Sequence, residues 1–332
     1  MKPIDSPDHL SISIATPPIA NPLSAQARCP GRRDRRRGRH LLAVAIVVLL
    51  ATCSTSQSSA TPPAATTPWQ LIWSDEFNGA NGSAPDPTHW AIQLGGNGFG
   101  NNELETYTSR PANVQQQNGN LLITALRENY TGPDGIKRPY TSGRIRTQGL
   151  FTQAYGRFEA SIQLPVGKGI WPAFWLLGDG INSVGWPHTG EIDIMEEIGE
   201  ANVIYSTLHG PGYSGGHGIS ARYPLPPGQA VNNAFHRYAV EWAPNNIKFF
   251  FDQNLIAERT PADLPAGAAW VYDHPFFILF NLAVGGAWPG YPDQTTPFPQ
   301  QMLVDYVRVY TRNPPTQNPS AEPTPASQSQ NE

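Results

Sequence analysis

An antiparallel β sandwich is the fold predicted by this sequence, on three observations. Charged residues make up only 14% of the chain while Gly (31), Pro (34), Trp (9) and Tyr (12) are plentiful, which suits turns and pleated faces better than helices. From about residue 69 to 312, short β-branched and aromatic runs alternate with turn residues, and no long amphipathic helix or internal repeat interrupts them. At 332 residues the chain has room for one large sandwich flanked by segments of other composition.

The segment 1–53 reads as an export signal. Eight of the 22 Lys and Arg fall in residues 1–40, against three of the 26 Asp and Glu. The apolar stretch Leu41 to Ala51 that follows has the length of a signal-peptide hydrophobic region and is short for a membrane span. Leu50-Ala51-Thr52-Cys53 resembles a bacterial lipobox, although Thr52 replaces the small residue usual there. A lipid anchor at Cys53 and plain secretion therefore both stay open. Residues 54–68 form a Ser/Thr/Pro/Ala-rich tether and 313–332 a Pro/Ser/Gln-rich tail, neither with apolar periodicity, so disorder is expected in both. After residue 40 the chain holds 14 basic and 23 acidic residues, with no basic field for a phosphate backbone, which excludes nucleic acid as a partner. Cys29 and Cys53 are the only cysteines, so no disulfide or thiolate metal site braces the middle segment. A monomer is expected.

Within 69–312 the clearest strands are Leu121-Leu122-Ile123-Thr124-Ala125, 157–162, 238–242, 247–251 and 302–310. Asn118-Gly119, Pro133-Asp134-Gly135 and Pro289-Gly290 punctuate them as turns.

The segment Gly190-Glu191-Ile192-Asp193-Ile194-Met195-Glu196-Glu197-Ile198-Gly199 carries the chemistry. In a strand, Glu191 and Asp193 share one face and Ile192 and Ile194 the other. Met195-Glu196 breaks the alternation by one residue, and a β-bulge there would return Glu196 to the face of Glu191 and Asp193. Glu197 then points away and outside the chemistry. Three carboxylates on one face repel, and the repulsion raises one pKa so that an acid stays protonated beside an ionised neighbour. Retaining glycosidases need such a pair, about 5–5.5 Å apart. By spacing alone a solvated acidic helix is also open, since Ile192, Met195 and Ile198 fall at helical intervals. The bracketing glycines and central β-branched residues oppose it.

This segment, in the context Trp186-Pro187-His188-Thr189-Gly190, resembles the active-site strand of family 16 glycoside hydrolases in the bulged, laminarinase form. The resemblance extends to Trp73-Ser74-Asp75-Glu76-Phe77-Asn78-Gly79, Asn101-Asn102-Glu103-Leu104, Gly169-Ile170-Trp171-Pro172-Ala173-Phe174-Trp175, Asn281-Leu282-Ala283-Val284-Gly285-Gly286 and Val304-Asp305-Tyr306-Val307-Arg308-Val309-Tyr310. It implies a concanavalin-like β jelly roll with a substrate cleft on the concave sheet, and an endo-acting retaining β-1,3-glucanase. Glu191 is then the nucleophile, Glu196 the general acid/base, and Asp193 the residue that modulates their protonation. Hydrolysis of mixed-linkage glucan or a galactan, or glucan binding without catalysis, are the alternatives on the same fold.

Sugar rings stack on aromatic faces, so Trp171, Trp175, Trp186 and Trp288 are candidate platforms, with core packing the ordinary role of a Trp in a sandwich. The resemblance places His209 near the acid/base. Asn101, Asn102 and Asn281 are candidate polar contacts, and Arg157 another, against the simpler reading of a surface charge pair. No cofactor is expected for catalysis. The resemblance also implies a structural calcium ion held by Asp305 with backbone carbonyls near Glu76 and Gly119.

Overall fold

The computed structural model describes residues 68–312; the export signal, the tether up to residue 67 and the tail lie outside the described residues. Seventeen strands follow one another in these residues, beginning with β1 (Gln70–Asp75), β2 (Ala91–Ile92), β3 (Glu105–Tyr107), β4 (Val114–Gln117), β5 (Asn120–Thr131), β6 (Lys137–Ser142) and β7 (Arg144–Arg146). Next come β8 (Gly156–Gln163), β9 (Ile170–Gly178), the one-turn helix α1 (Ile181–Val184), β10 (Glu191–Glu196), β11 (Val203–His209) and β12 (Ile219–Pro224). The last are β13 (His236–Ala243), β14 (Asn246–Phe251), β15 (Asn254–Arg259), β16 (Phe276–Val284) and β17 (Gln300–Thr311). Every run predicted as a strand lies within one of them.

Two sheets result. The ten-stranded sheet has the order β15-β14-β13-β8-β17-β5-β6-β3, with β1 added on β17 and β4 on β5; the seven-stranded sheet has the order β12-β11-β10-β9-β16-β7-β2. Antiparallel pairing prevails, and β3 with β6 is parallel. Asn118 and Gly119 turn β4 into β5 with φ of 53° and 75°, the left-handed pair that a two-residue hairpin needs.

Alternation decides which residues meet between the sheets. Phe276, Ile278, Phe280, Leu282 and Val284 of β16, and Phe174 and Leu176 of β9, join the main core with Phe158, Val240, Trp242, Phe249, Phe251, Val304, Val307 and Val309 of the larger sheet. The opposite faces of β9 and β16 are also apolar: Ala173, Trp175, Leu177, Phe277 and Leu279 form a second cluster with Ile181 of α1 against it. Covered on both faces, β16 is buried along its whole length and is apolar at every position but Asn281.

Candidate active site

The short segment from Glu191 to Glu196 is a strand of the seven-stranded sheet, not a helix. Its pairing with β9 slips between Asp193 and Met195, and with β11 between Asp193 and Glu196. The extra residue lets Ile192, Ile194 and Met195 all enter the core, while Glu191, Asp193 and Glu196 line an open cleft of about 460 Å³ on the outer face. This is the bulge that the broken alternation predicts, and its cause is local: two consecutive apolar residues both find the core, so the next carboxylate faces out.

Burial raises all three carboxyls above the usual range. Glu191 is pushed up to about 8, first by burial and then by the charge of Asp193, and is held back by His209, Arg144 and the Trp186 side chain. Burial pushes Asp193 well above its ordinary value. Glu196 rises well above its own through burial and then Asp193 and Glu191, against His209 and the Trp171 side chain. The Trp171 indole Nε1–H donates to Glu196 Oε1 at 3.0 Å. Arg144 also lines the cleft, and with His209 it offsets part of the rise that burial and Asp193 impose on Glu191.

His209 closes the group. It faces Glu191 across the β10–β11 pair, and its Nε2 lies 3.1 Å from Asp193 Oδ2 and 3.7 Å from Glu191 Oε1. Trp171, Trp175, Trp186, Asn101 and Asn281 also line the cleft, together with Phe99, Glu103 and Arg144. Trp186 is half exposed, a free face for a sugar ring. Trp175 is nearly buried and donates from Nε1 to Asn281 Oδ1 at 2.8 Å. The structure places Trp288 at the rim, exposed, with its ring edge-on to Trp171 and Tyr205 at 5.7 and 5.0 Å.

Two of the expected contacts do not reach the cleft. Arg157 belongs to β8 of the other sheet, where its guanidinium pairs with Glu159 at 2.6 Å and Glu241 at 2.9 Å; it is the charge pair of the simpler reading. Asn102 sits in an exposed left-handed turn, φ 61°, away from the cleft lining. Sequence reasoning missed Arg144, nine-tenths buried, whose Nε donates to Gln93 Oε1 at 2.7 Å and whose guanidinium lies 4.9 Å from the centres of the Phe99 and Trp175 rings. The signal was present in Gly143-Arg144-Ile145: an inward Ile145 turns Arg144 out onto the cleft face.

A cleft on one face of a β sandwich, floored by a carboxylate pair and walled by indoles and amides, defines an enzyme of the glycoside hydrolase class. Residues 101–308 match the sequence profile of glycosyl hydrolases family 16, and the chain belongs to that family. A β-glucanase of Rhodothermus marinus is 41% identical over 255 residues, which cover 73% of this chain and 85% of that relative. The laminarinase catalytic domain of Thermotoga maritima superposes with a TM-score of 0.69 at 45% identity, over 73% of this chain and 98% of the other. The endo-β-1,3-glucanase of Pyrococcus furiosus does so with 0.70 at 47%, over 73% and 94%.

Glu197, next in sequence, is fully buried and absent from the cleft lining, and the backbone N–H groups of Gly199 and Glu200 beside its carboxylate do not offset its burial. Burial pushes it up to about 8 from 4.5. The folded chain then keeps a proton that the unfolded chain has lost, so this contribution to stability is complete below the unfolded value and disappears as pH rises through about 8. Glu197→Gln should therefore melt less steeply with pH than the wild type between about pH 5 and 8, read as the difference between the two melting curves.

Proposed function

We propose that this chain is a retaining, endo-acting β-1,3-glucanase, with laminarin or curdlan as the type of substrate. The observation that carries the reading is the bulged strand, which sets Glu191 and Glu196 on one cleft face with Asp193 between them. Glu191 attacks the anomeric carbon while Glu196 gives its proton to the leaving oxygen; Glu196 then takes a proton from the water that cleaves the glycosyl ester, so one residue serves as acid and then base. The Trp171 N–H on Glu196 favours its ionised form, the one left after the first step. Trp186 and Trp171 offer ring faces, and Asn101, Asn281 and His209 offer polar partners for hydroxyls.

Incubation with laminarin, curdlan, lichenan and agarose, following product length and anomer by NMR, tests this. Internal cuts in laminarin with the β-anomer released first are expected. First release of the α-anomer would overturn the mechanism, and cleavage of agarose alone would overturn the substrate.

A structural calcium ion fits the register around Asp305. Val304 pairs with Leu121 of β5, and Val307 with Asp75 of β1, while the β8 pairing skips Asp305. The turn at Gly119 and the carbonyl of Glu76 therefore come to the same stretch of β17. The Glu76 carboxylate is engaged by Arg308 at 2.9 and 2.7 Å, which leaves its carbonyl as the donor. Such a clip would join three strands through oxygen ligands. A chelator should lower the melting temperature of the wild type and leave Asp305→Ala unmoved; a wild type indifferent to chelator counts against the ion.

Export is supported by the basic run and the apolar Leu41 to Ala51. If Cys53 is lipidated, the protein partitions into detergent and Cys53→Ala does not; equal partitioning removes the anchor.

A further inference from the structure

The cleft contains a donor set that hydrolysis does not require in that form. Glu191, Asp193 and His209 each offer one ligand atom, and these atoms all lie within 4.8 Å of one another. Two of the separations are close to what a small tetrahedral cation imposes. Ligands held about 2.0–2.1 Å from Zn²⁺ stand roughly 3.3 Å apart, and His209 Nε2 is 3.1 Å from Asp193 Oδ2 and 3.7 Å from Glu191 Oε1.

A second observation points inward to the same spot. Asp193 is 4% exposed, and its Oδ2 is buried without a well-aligned hydrogen bond; the polar group beside it is His209 Nε2 at 3.1 Å, itself a member of the donor set. A buried carboxylate oxygen with no donor aligned on it is costly, and a cation shared with the neighbouring imidazole would satisfy it. The imidazole is also fixed in place. A Cβ at Gly218 would come within 2.5 Å of His209 Cε1, the Trp186 ring lies 6.1 Å away, and the His209 carbonyl accepts the Tyr272 hydroxyl at 3.0 Å.

We propose that Glu191, Asp193 and His209 form a site for a divalent transition-metal ion, with Zn²⁺ as the representative, and that a bound ion stops turnover by occupying the carboxylate that attacks the sugar. Three protein ligands and one position open to the cleft is the coordination that zinc adopts where water fills the fourth place. The imidazole sets the selectivity: nitrogen with two carboxylates suits Zn²⁺, Co²⁺ or Cu²⁺, whereas Ca²⁺ and Mg²⁺ prefer oxygen alone. The ion is thus distinct from the calcium expected at Asp305. The inhibition rests on the β-glucanase reading, and the binding does not.

The test is a calorimetric Zn²⁺ titration of the full chain in excess Ca²⁺, beside laminarin hydrolysis. One equivalent should bind the wild type, and hydrolysis should fall as the site fills. Loss of a mere supporting group around a metal costs about 10–100-fold in affinity, so loss of a ligand in His209→Gln or Asp193→Asn should weaken Zn²⁺ by at least about tenfold. Circular dichroism establishes that each variant is folded, and either variant alone suffices. No uptake by the wild type, or wild-type affinity in both folded variants, overturns the proposal. Zinc uptake that follows the variants as expected in a chain that does not cut laminarin leaves the metal site standing and overturns the substrate.

Discussion

Glu191→Ala and Glu196→Ala should each abolish most laminarin hydrolysis while the protein melts no lower than the wild type. Loss of general acid/base assistance costs on the order of 10²–10⁴-fold, which sets the expected fall for Glu196→Ala with an unactivated leaving group. Glu191→Ala should lose at least as much, because without the nucleophile no glycosyl ester forms. Stability is expected to survive since burial and mutual repulsion push both carboxyls above their ordinary range; removal of one relieves its neighbours. Azide separates the two roles. In Glu191→Ala the anion takes the nucleophile's place and yields an α-glycosyl azide, whereas in Glu196→Ala it intercepts the ester on Glu191 and yields the β product. Asp193→Asn should impair turnover less than either. Retention of activity within about tenfold of the wild type in Glu191→Ala would refute the assignment, as would α-azide formed by Glu196→Ala.

The reach of the sequence is seen best along β10. The alternation of Glu191, Ile192, Asp193 and Ile194 and its break at Met195 contain the bulge, because a strand has only two faces and two successive apolar residues must both find the core. The partner His209 follows from the hairpin, since antiparallel pairing puts a residue of β11 beside Glu191. Placement across the sandwich was not legible in the same way. Arg157 and Arg144 both sit on strands with apolar neighbours, and only the order of strands says that β7 joins the cleft sheet and β8 the other. That order is set by contacts distant in sequence, such as Asn281 against Arg144. The double-sided burial of β9 and β16 was likewise hidden, since an apolar run does not say whether its second face meets solvent or the cover formed by α1.

The bulge also depends on what lies beneath it, and Phe174→Ala should expose that dependence. Phe174 is fully buried on β9, opposite Met195 at the slipped pair, and its ring stacks on Phe280 with centroids 4.7 Å apart at 14°. Truncation of a buried Phe to Ala costs about 3–5 kcal/mol through lost burial and the cavity left behind. For a domain of this size each kcal/mol moves the melting temperature by roughly 2–4 °C, so a fall of about 6–20 °C is expected by calorimetry. Met195 is the apolar residue best placed to collapse into the cavity, and a strand that follows it inward draws Glu196 from its place beside the Trp171 indole. Turnover per folded molecule should then fall more than KM changes, because the platform Trp186 and the polar contact Asn101 belong to other segments, and Trp171, though on β9, faces the cleft while Phe174 faces the core. Phe249→Ala is the control. Phe249 is equally buried, on β14 of the opposite sheet, and should cost similar stability while the folded fraction keeps its kcat. Equal loss of kcat in the two variants, measured well below both melting temperatures, would mean that the core supports the catalytic strand only globally and that the bulge has no local foundation in Phe174.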